Sequence, residues 1–395
     1  MKESPVKTVA LARCTAYDRE EVTRSVRQVV DLLGGIESFI SPGSRVLVKP
    51  NLLQGLPPER CVTTHPEVVR AVCVLLQSIG CSVVIADSPG GGIRYTPGNL
   101  HSLYHAAGYD QIAAETGALL NYDTGFYEHP FPEGRLAKRF PVILPVRDAD
   151  HIVVVSKAKT HLWTLFSGGA KNLFGVIPGL EKPLHHARFR EALHFGGMIA
   201  DLNEAISPSL QLMDAVVAME GDGPSSGRPR HLGAILASPD WTAIDVVACR
   251  LIGIPPLDVP TIRAVADRGG LPNSGAGIIL LGDNPATLAA TGFRMPSTYR
   301  GEGKGLEKSL LLGLLHRLGG LYALYPAIDH SRCERCRRCE RICPVHAISW
   351  SGGTPEITRS ACIRCYCCHE ICPVGAIATR PGLTRRVIRK VTGLS

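Results

Sequence analysis

The sequence predicts an α/β protein, a largely parallel sheet with flanking helices, followed by a small cysteine-rich domain. Three observations predict it. Short runs of Val, Ile and Leu recur through the first 300 or so residues without strict alternation, as in strands buried on both faces. Stretches of helical periodicity separate these runs, the order expected of parallel strands joined by helices. Near the C-terminus the composition changes, and nine of the 14 cysteines fall between residues 333 and 372.

The elements follow in order. Residues 6–13 read as a strand. Asp18, with Glu21 three positions on, has the form of a capping box and opens a helix. Val22, Val26, Val29, Val30 and Leu33 then fall at helical spacing until Gly34 and Gly35 stop it. Residues 45–49 (RVLVK) are a short buried strand. Pro66 stands where a first-turn proline belongs, and that helix runs to Gly80. Residues 82–87, 150–156, 210–219 and 277–282 repeat the apolar-run pattern.

Four of these strands finish in polar, charged or glycine-rich residues. Lys49, Pro50 and Asn51 follow the second. Asp87, Ser88 and Pro89 follow the third, with Gly90, Gly91 and Gly92 after them. Lys157, Lys159, Thr160 and His161 follow the run 150–156, and Glu220, Gly221, Asp222, Gly223 and Pro224 follow the run 210–219. In open α/β sheets the ligand crevice lies outside the carboxyl ends of the strands, so these residues form one candidate site. Each has a plainer reading: Lys49 as a solvated strand end, and the Asp87 segment as a turn or an anion nest.

Within the site, Lys49, Lys157, Lys159 and Lys171 favour an anionic small-molecule substrate, with Asn51, Asp87, Ser88, Asn172 and Asp222 as further binding residues. His161 is the candidate proton donor, since its ordinary pKa lies near neutrality; Lys159 or Lys157 fills that role if burial lowers its pKa. His185 and His186 read as surface residues, and Asp245, among apolar neighbours on a helix, as structurally paired. Ser167 to Asn172 is not a phosphate-binding Walker loop, because Lys171 is followed by Asn172. No dinucleotide fingerprint, nucleophile elbow or zinc-protease motif is present.

The cysteines carry the most specific signal. Cys333, Cys336, Cys339 and Cys343 precede Pro344; Cys362, Cys365, Cys368 and Cys372 precede Pro373. Both runs read C-x2-C-x2-C-x3-C-P, the ligand spacing of a cubane iron–sulfur cluster. Two intervening residues let a tight loop aim successive thiolates at one cube, and the x3 step throws the fourth to the other. The segment CPVHAI from Cys343 mirrors CPVGAI from Cys372, an internal repeat that implies pseudo-two-fold symmetry. The remaining cysteines (Cys14, Cys61, Cys73, Cys81, Cys249) lack ligand spacing and read as small buried hydrophobes.

Charge narrows the partners. The formal net charge is +8, but residues 328–380 hold eight Arg and five acidic residues. Two oxidised cubanes with four thiolates each would add about −4 there. Little excess remains to advertise a nucleic-acid surface, and no basic run is interleaved with aromatics. Thiolate ligands need a reducing environment, which places the protein in the cytoplasm and makes it oxygen-sensitive. Residues 309–324 are Leu-rich but interrupted by His316 and Arg317. A helix packed between domains is the expected role; contact with a membrane surface, helped by the basic tail at 381–395, is the weaker one.

With these motifs in view, the chain resembles the family known as domain of unknown function 362, fused to a bacterial-type two-cluster ferredoxin domain. The residues that carry the resemblance are Lys49-Pro-Asn51, Asp87-Ser-Pro89, Lys157, Lys159-Thr-His161, Gly169 to Gly175, Glu220 to Pro224 and Asp240 to Asp245, with the two cysteine runs. It implies a small C-terminal α+β ferredoxin-like domain with two [4Fe-4S] clusters. Cys333, Cys336, Cys339 and Cys372 would hold one, and Cys362, Cys365, Cys368 and Cys343 the other, with Cys367 a non-ligand. The expected division is an α/β domain over 1–305, a Leu-rich connecting helix over 306–327, the cluster domain over 328–380 and the tail. The expected function is an iron–sulfur oxidoreductase that takes electrons from an external low-potential carrier, such as ferredoxin or flavodoxin, and passes them to the anionic substrate. The alternative is a non-catalytic electron-transfer or assembly protein whose α/β domain docks a partner.

Overall fold

A computed structural model describes residues 7–90, 92–271, 277–299 and 324–381. Residues 382–395 of the expected basic tail at 381–395, and most of the connecting helix, lie outside the described residues, while Pro381 closes a strand. The main sheet has nine strands. They are β1 (Lys7–Arg13), β2 (Arg45–Pro50), β3 (Ser82–Ile85), β4 (Leu119–Leu120), β7 (His151–His161), β8 (Leu165–Ser167), β9 (Leu210–Glu220), β10 (Arg228–Ser238) and β11 (Ile278–Gly282), with β5 (Phe126–Pro130) and β6 (Arg139–Ile143) forming a separate hairpin. The order is β11-β1-β10-β9-β7-β2-β3-β4, with β8 folded back on β7. All neighbours are parallel except β10, antiparallel to both β1 and β9, and β8. The sheet is therefore mixed and mostly parallel.

The continuous apolar runs have the expected cause. Along β7, Val153 and Val155 pack on one face while Ile152 and Val154 pack on the other; Val48 and Leu47 of β2 divide the same way. Helices α1 (Arg19–Leu32), α2 (Pro66–Gln77), α3 (Pro97–Ala106) and α4 (Tyr109–Thr116) cover the first face. The second is covered by a helix spanning Ala192–Ile206 and by Trp241–Leu251 and Pro260–Asp267.

Local signals held, with one refinement. Asp18 accepts from the Glu20 and Glu21 amides, but Glu21 reaches past the cap to accept from Thr15 N at 2.6 Å and Thr15 Oγ1 at 2.9 Å. The capping box thus ties α1 to the end of β1 rather than closing on itself. Pro66 does begin α2.

The C-terminal domain has two antiparallel pairs, β12 (Leu324–Ile328) with β15 (Ile377–Pro381) and β13 (Ile348–Ser351) with β14 (Thr354–Ile357), and helices Arg338–Ile342 and Cys367–Ile371. Residues 324–327, expected in a connecting helix, are strand. Gly352 and Gly353, both at positive φ, make the two-residue turn between β13 and β14. The cysteine repeat is a backbone repeat of 29 residues: left-handed Arg335, Arg337 and His346 recur as Arg364, Tyr366 and Gly375. The Ala347 and Ala376 amides donate to Cys343 Sγ and Cys372 Sγ at 3.2 and 3.1 Å.

Candidate functional site

The sheet order makes neighbours of the four strands whose ends carry polar residues: β9, β7, β2 and β3 lie side by side. At their carboxyl ends is a cavity of about 60 Å³, lined by Lys49, Asn51, Asp87, Ser88, Lys159, Lys171, Asn172, Lys182 and His186 from the α/β domain and by Ile342, Cys367 and Glu370 from the cluster domain.

Helix Cys367–Ile371 is the cavity's lid. All five of its residues are buried, although the helix belongs to the cluster domain. Its Glu370 carbonyl accepts from Gln54 Nε2 and from Ser225 Oγ, the latter at 3.0 Å. The Glu370 carboxylate lies 3.3 Å from His161 Nε2.

Four lysines converge below it. Lys49 is fully buried, 2.8 Å from Asp87 Oδ1 and 3.0 Å from Asn172 Oδ1. Gly175 passes so close over this pair that any Cβ there would strike both side chains, so the position requires glycine. Lys159 donates to Asn51 Oδ1 at 3.0 Å and to Val62 O at 2.7 Å. Lys182 is held by Ser88 Oγ and O, Pro89 O and Ile177 O. Lys171 is different: its ammonium sits 6.0 Å from the Phe174 ring centroid and has no hydrogen-bond acceptor among the described residues. Asp245 sets its position by accepting from the Gly169 and Ala170 amides at 2.6 and 3.2 Å, which anchors the short turn Gly169–Asn172. Burial pushes the Asp245 carboxyl up to about 7 against those amides.

Electrostatics follow from burial. It pushes Lys159 well below the ordinary lysine range, with Lys171 adding to the effect. Burial also lowers Lys49, against the Asp87 charge, and Lys171, against Glu370. It lowers Lys182 to about 7. Burial works to raise the Glu370 carboxyl, but His161, Lys171 and His186 overcome it and hold the group at about 2. Four lysine side chains thus share two carboxylates, Asp87 and Glu370, and a bound anion would favour their protonated forms.

His161 is fully buried and stands beside Glu370 rather than lining the cavity. Burial pushes its imidazole down to about 4, with Lys171 adding to that effect. Its Nδ1 accepts from the Trp163 and Thr164 amides at 3.0 and 3.3 Å, so the neutral ring carries its proton on Nε2, facing Glu370. Glu370 stands between it and the cavity.

Lys157 and Asp222, expected in the site, stand apart from it. β7 does not end at Ser156; it runs to His161, and an irregularity in its pairing with β9 between Lys157 and Lys159 separates the two lysines. Lys157 is buried against Asp214 at 2.8 Å and Tyr17 Oη at 2.7 Å, away from the cavity. Asp222 accepts from Ser297 N and Oγ outside the pocket. His186, expected on the surface, is buried and lines the cavity. Lys182, His186 and Glu370 carried no signal of their own in sequence.

The cysteines gather as two groups of four. Cys343, Cys362, Cys365 and Cys368 line one small cavity, with Cys367, which also lines the cavity at the strand ends, beside them. Cys333, Cys336 and Cys372 are the thiol neighbours that act on Cys339. Both sets fit the crossed pattern, with amide donors already aimed at Cys343 and Cys372, and each supplies the four thiolates a cubane requires. Cys14, Cys61, Cys73, Cys81 and Cys249 are buried and free.

Comparison with known proteins agrees with this division. The profile described as Domain of unknown function (DUF362) matches residues 46–250, and the 4Fe-4S dicluster domain matches residues 325–373. The thylakoid-associated protein sll1697 of Synechocystis sp. is 34% identical over 308 residues, 77% of this chain and 92% of that one. A solved structure of the lactate racemase apoprotein from Thermoanaerobacterium thermosaccharolyticum overlaps 57% of this chain and 54% of its own at 15% identity, with a TM-score of 0.35. The chain thus spans about half of that protein, and so distant a likeness carries no argument. Among the described residues no helix is long and apolar enough to cross a membrane.

Proposed function

The chain belongs to the DUF362 family and carries a 4Fe-4S dicluster domain of the ferredoxin type, and from that premise we propose that it is an iron–sulfur oxidoreductase acting on a small anionic substrate. The observation that carries this reading is the shared cavity. Its cationic floor comes from the strand ends, and its lid is a helix inside the second cysteine run.

Bound clusters, two in this reading, supply one-electron transfer from an external low-potential carrier. The protein's residues do the rest. Lys171, with no competing acceptor among the described residues, and Lys159 hold the anion, while Lys49, Asp87, Asn51, Ser88 and Asn172 fix the floor. Lys171 Nζ is the proton donor, its pKa lowered by burial, and the role passes to it from His161. His161 is a positioning residue that orients Glu370, and the lid keeps bulk water from the reacting anion. The carrier is oxidised, the anion is reduced, and solvent replenishes the proton. The docking alternative would be favoured by a flat or filled strand-end face, whereas a polar cavity remains beneath the helix, which supports a bound small molecule. The thiolates fit a reducing compartment such as the cytoplasm.

The test uses photoreduced, anaerobic holoprotein and a panel of small carboxylates and inorganic oxyanions. At least one member is expected to reoxidise the clusters catalytically, and Lys171→Gln to abolish that turnover with cluster absorbance intact. Equal reoxidation by wild type and variant would refute the assignment.

A further inference from the structure

The two cysteine runs are the same backbone in two settings. The 29-residue repeat aligns Arg338 with Cys367 and Arg341 with Glu370. In the second run those positions are buried against the α/β domain. In the first, both arginines are exposed. Cys336 is also exposed, whereas Cys365, its counterpart, is buried.

The exposed half is strongly cationic. Arg338 and Arg341 line one groove with Arg94; Arg338 lines an adjoining one with Arg60, Arg332 and Cys372. No Asp or Glu lines either groove, and among the described residues none of these five arginines makes an ion pair. Arg341 and Arg332 instead donate to Cys336 O at 3.3 Å and Val374 O at 2.7 Å, which holds guanidinium charge beside the cysteines of the first set.

We propose that this arginine face docks an acidic one-electron carrier protein, which delivers electrons to the set Cys333, Cys336, Cys339 and Cys372. The set Cys343, Cys362, Cys365 and Cys368, whose neighbour Cys367 lines the cavity, is reduced second. The carrier loses one electron per encounter, and the outer cluster gains it without bond making or proton transfer. The proposal rests on the oxidoreductase reading only for the source of electrons; cluster reduction is measured without any substrate, so the two stand or fall separately. Charge complementarity selects the partner: five arginines without an ion pair among the described residues, two of them held by Cys336 O and Val374 O, steer an anionic surface to that spot and speed encounter.

The experiment is anaerobic stopped-flow reduction of full-length holoprotein by a reduced two-cluster ferredoxin of net negative charge. A parallel series uses photoreduced deazaflavin, too small to need docking. The ferredoxin rate constant is expected to fall steeply with ionic strength and to drop about tenfold or more in Arg94→Glu/Arg338→Glu/Arg341→Glu at low salt, with the deazaflavin rate unchanged. Three results would overturn the proposal. One is a ferredoxin rate within about twofold of wild type at low salt. Another is equal slowing with both reductants, which would make the arginines supports of the cluster itself. The third is loss, in the variant, of binding to phosphatidylglycerol vesicles with carrier kinetics unaltered, which would assign the face to a lipid surface.

Discussion

Helix Arg338–Ile342 and helix Cys367–Ile371 occupy equivalent places in one repeated backbone, yet one presents arginines to solvent and the other presents Cys367 and Glu370 to a buried cavity. The difference shows how a symmetric electron-transfer module acquires a direction. Its backbone fixes where thiolates go; the side chains two or three positions away decide what each half meets. Charge reversal between Arg341 and Glu370 is the clearest instance, because Glu370 is the group that reaches His161 and the lysine floor.

Removing a ligand should break the comparison most severely. Cys368→Ser is expected to remove the inner cluster, cutting iron from about eight atoms to about four, whereas the neighbouring Cys367→Ser keeps the full complement. Iron analysis and absorbance of anaerobic protein check this, and equal loss in both variants would break the ligand assignment. Glu370→Gln comes next. Its carboxylate lies 3.3 Å from His161 Nε2 beside the lysine floor, and losing a buried charged contact of this kind costs about 1.5–3 kcal/mol, so the variant should melt earlier by a corresponding margin. Arg341→Gln at the equivalent outer position should cost under about 0.5 kcal/mol.

An effect comparable with that of Glu370→Gln is expected in pH. His161 and His186 are pushed by burial down to about 4 and about 3. As pH falls below the ordinary histidine value near 6.5, the unfolded chain takes up protons that the folded protein refuses. The stability these neutral histidines carry is therefore complete above about pH 6.5 and lost progressively toward pH 4. Melting at about pH 5.5 should reveal a loss of roughly 2–3 kcal/mol relative to about pH 7.5, and His186→Phe should remove part of it.

Much of this was legible in sequence, for identifiable reasons. Strands such as β2 and β7 announce themselves because both faces are apolar, and Asp18 and Pro66 mark helix starts by local chemistry. The cysteine spacing was legible because cluster geometry constrains neighbours in the chain. The antiparallel insertion of β10 carried no such mark. The site was legible only as strand ends. Its lid comes from Glu370, 209 residues beyond His161, and only docking of the two domains brings them together. Lys157 was grouped with Lys159 because both follow the apolar run 150–156, but β7 continues to His161 and its irregular pairing with β9 separates them.

The central claim is that the cavity beneath helix Cys367–Ile371 binds a small anion beside the inner cluster, and EPR of the reduced holoprotein titrated with inorganic phosphate and with acetate tests it most directly. A saturable change in the cluster signal that disappears in Lys171→Gln is the predicted result. A spectrum indifferent to both anions, or one that responds equally in wild type and Lys171→Gln, would contradict it.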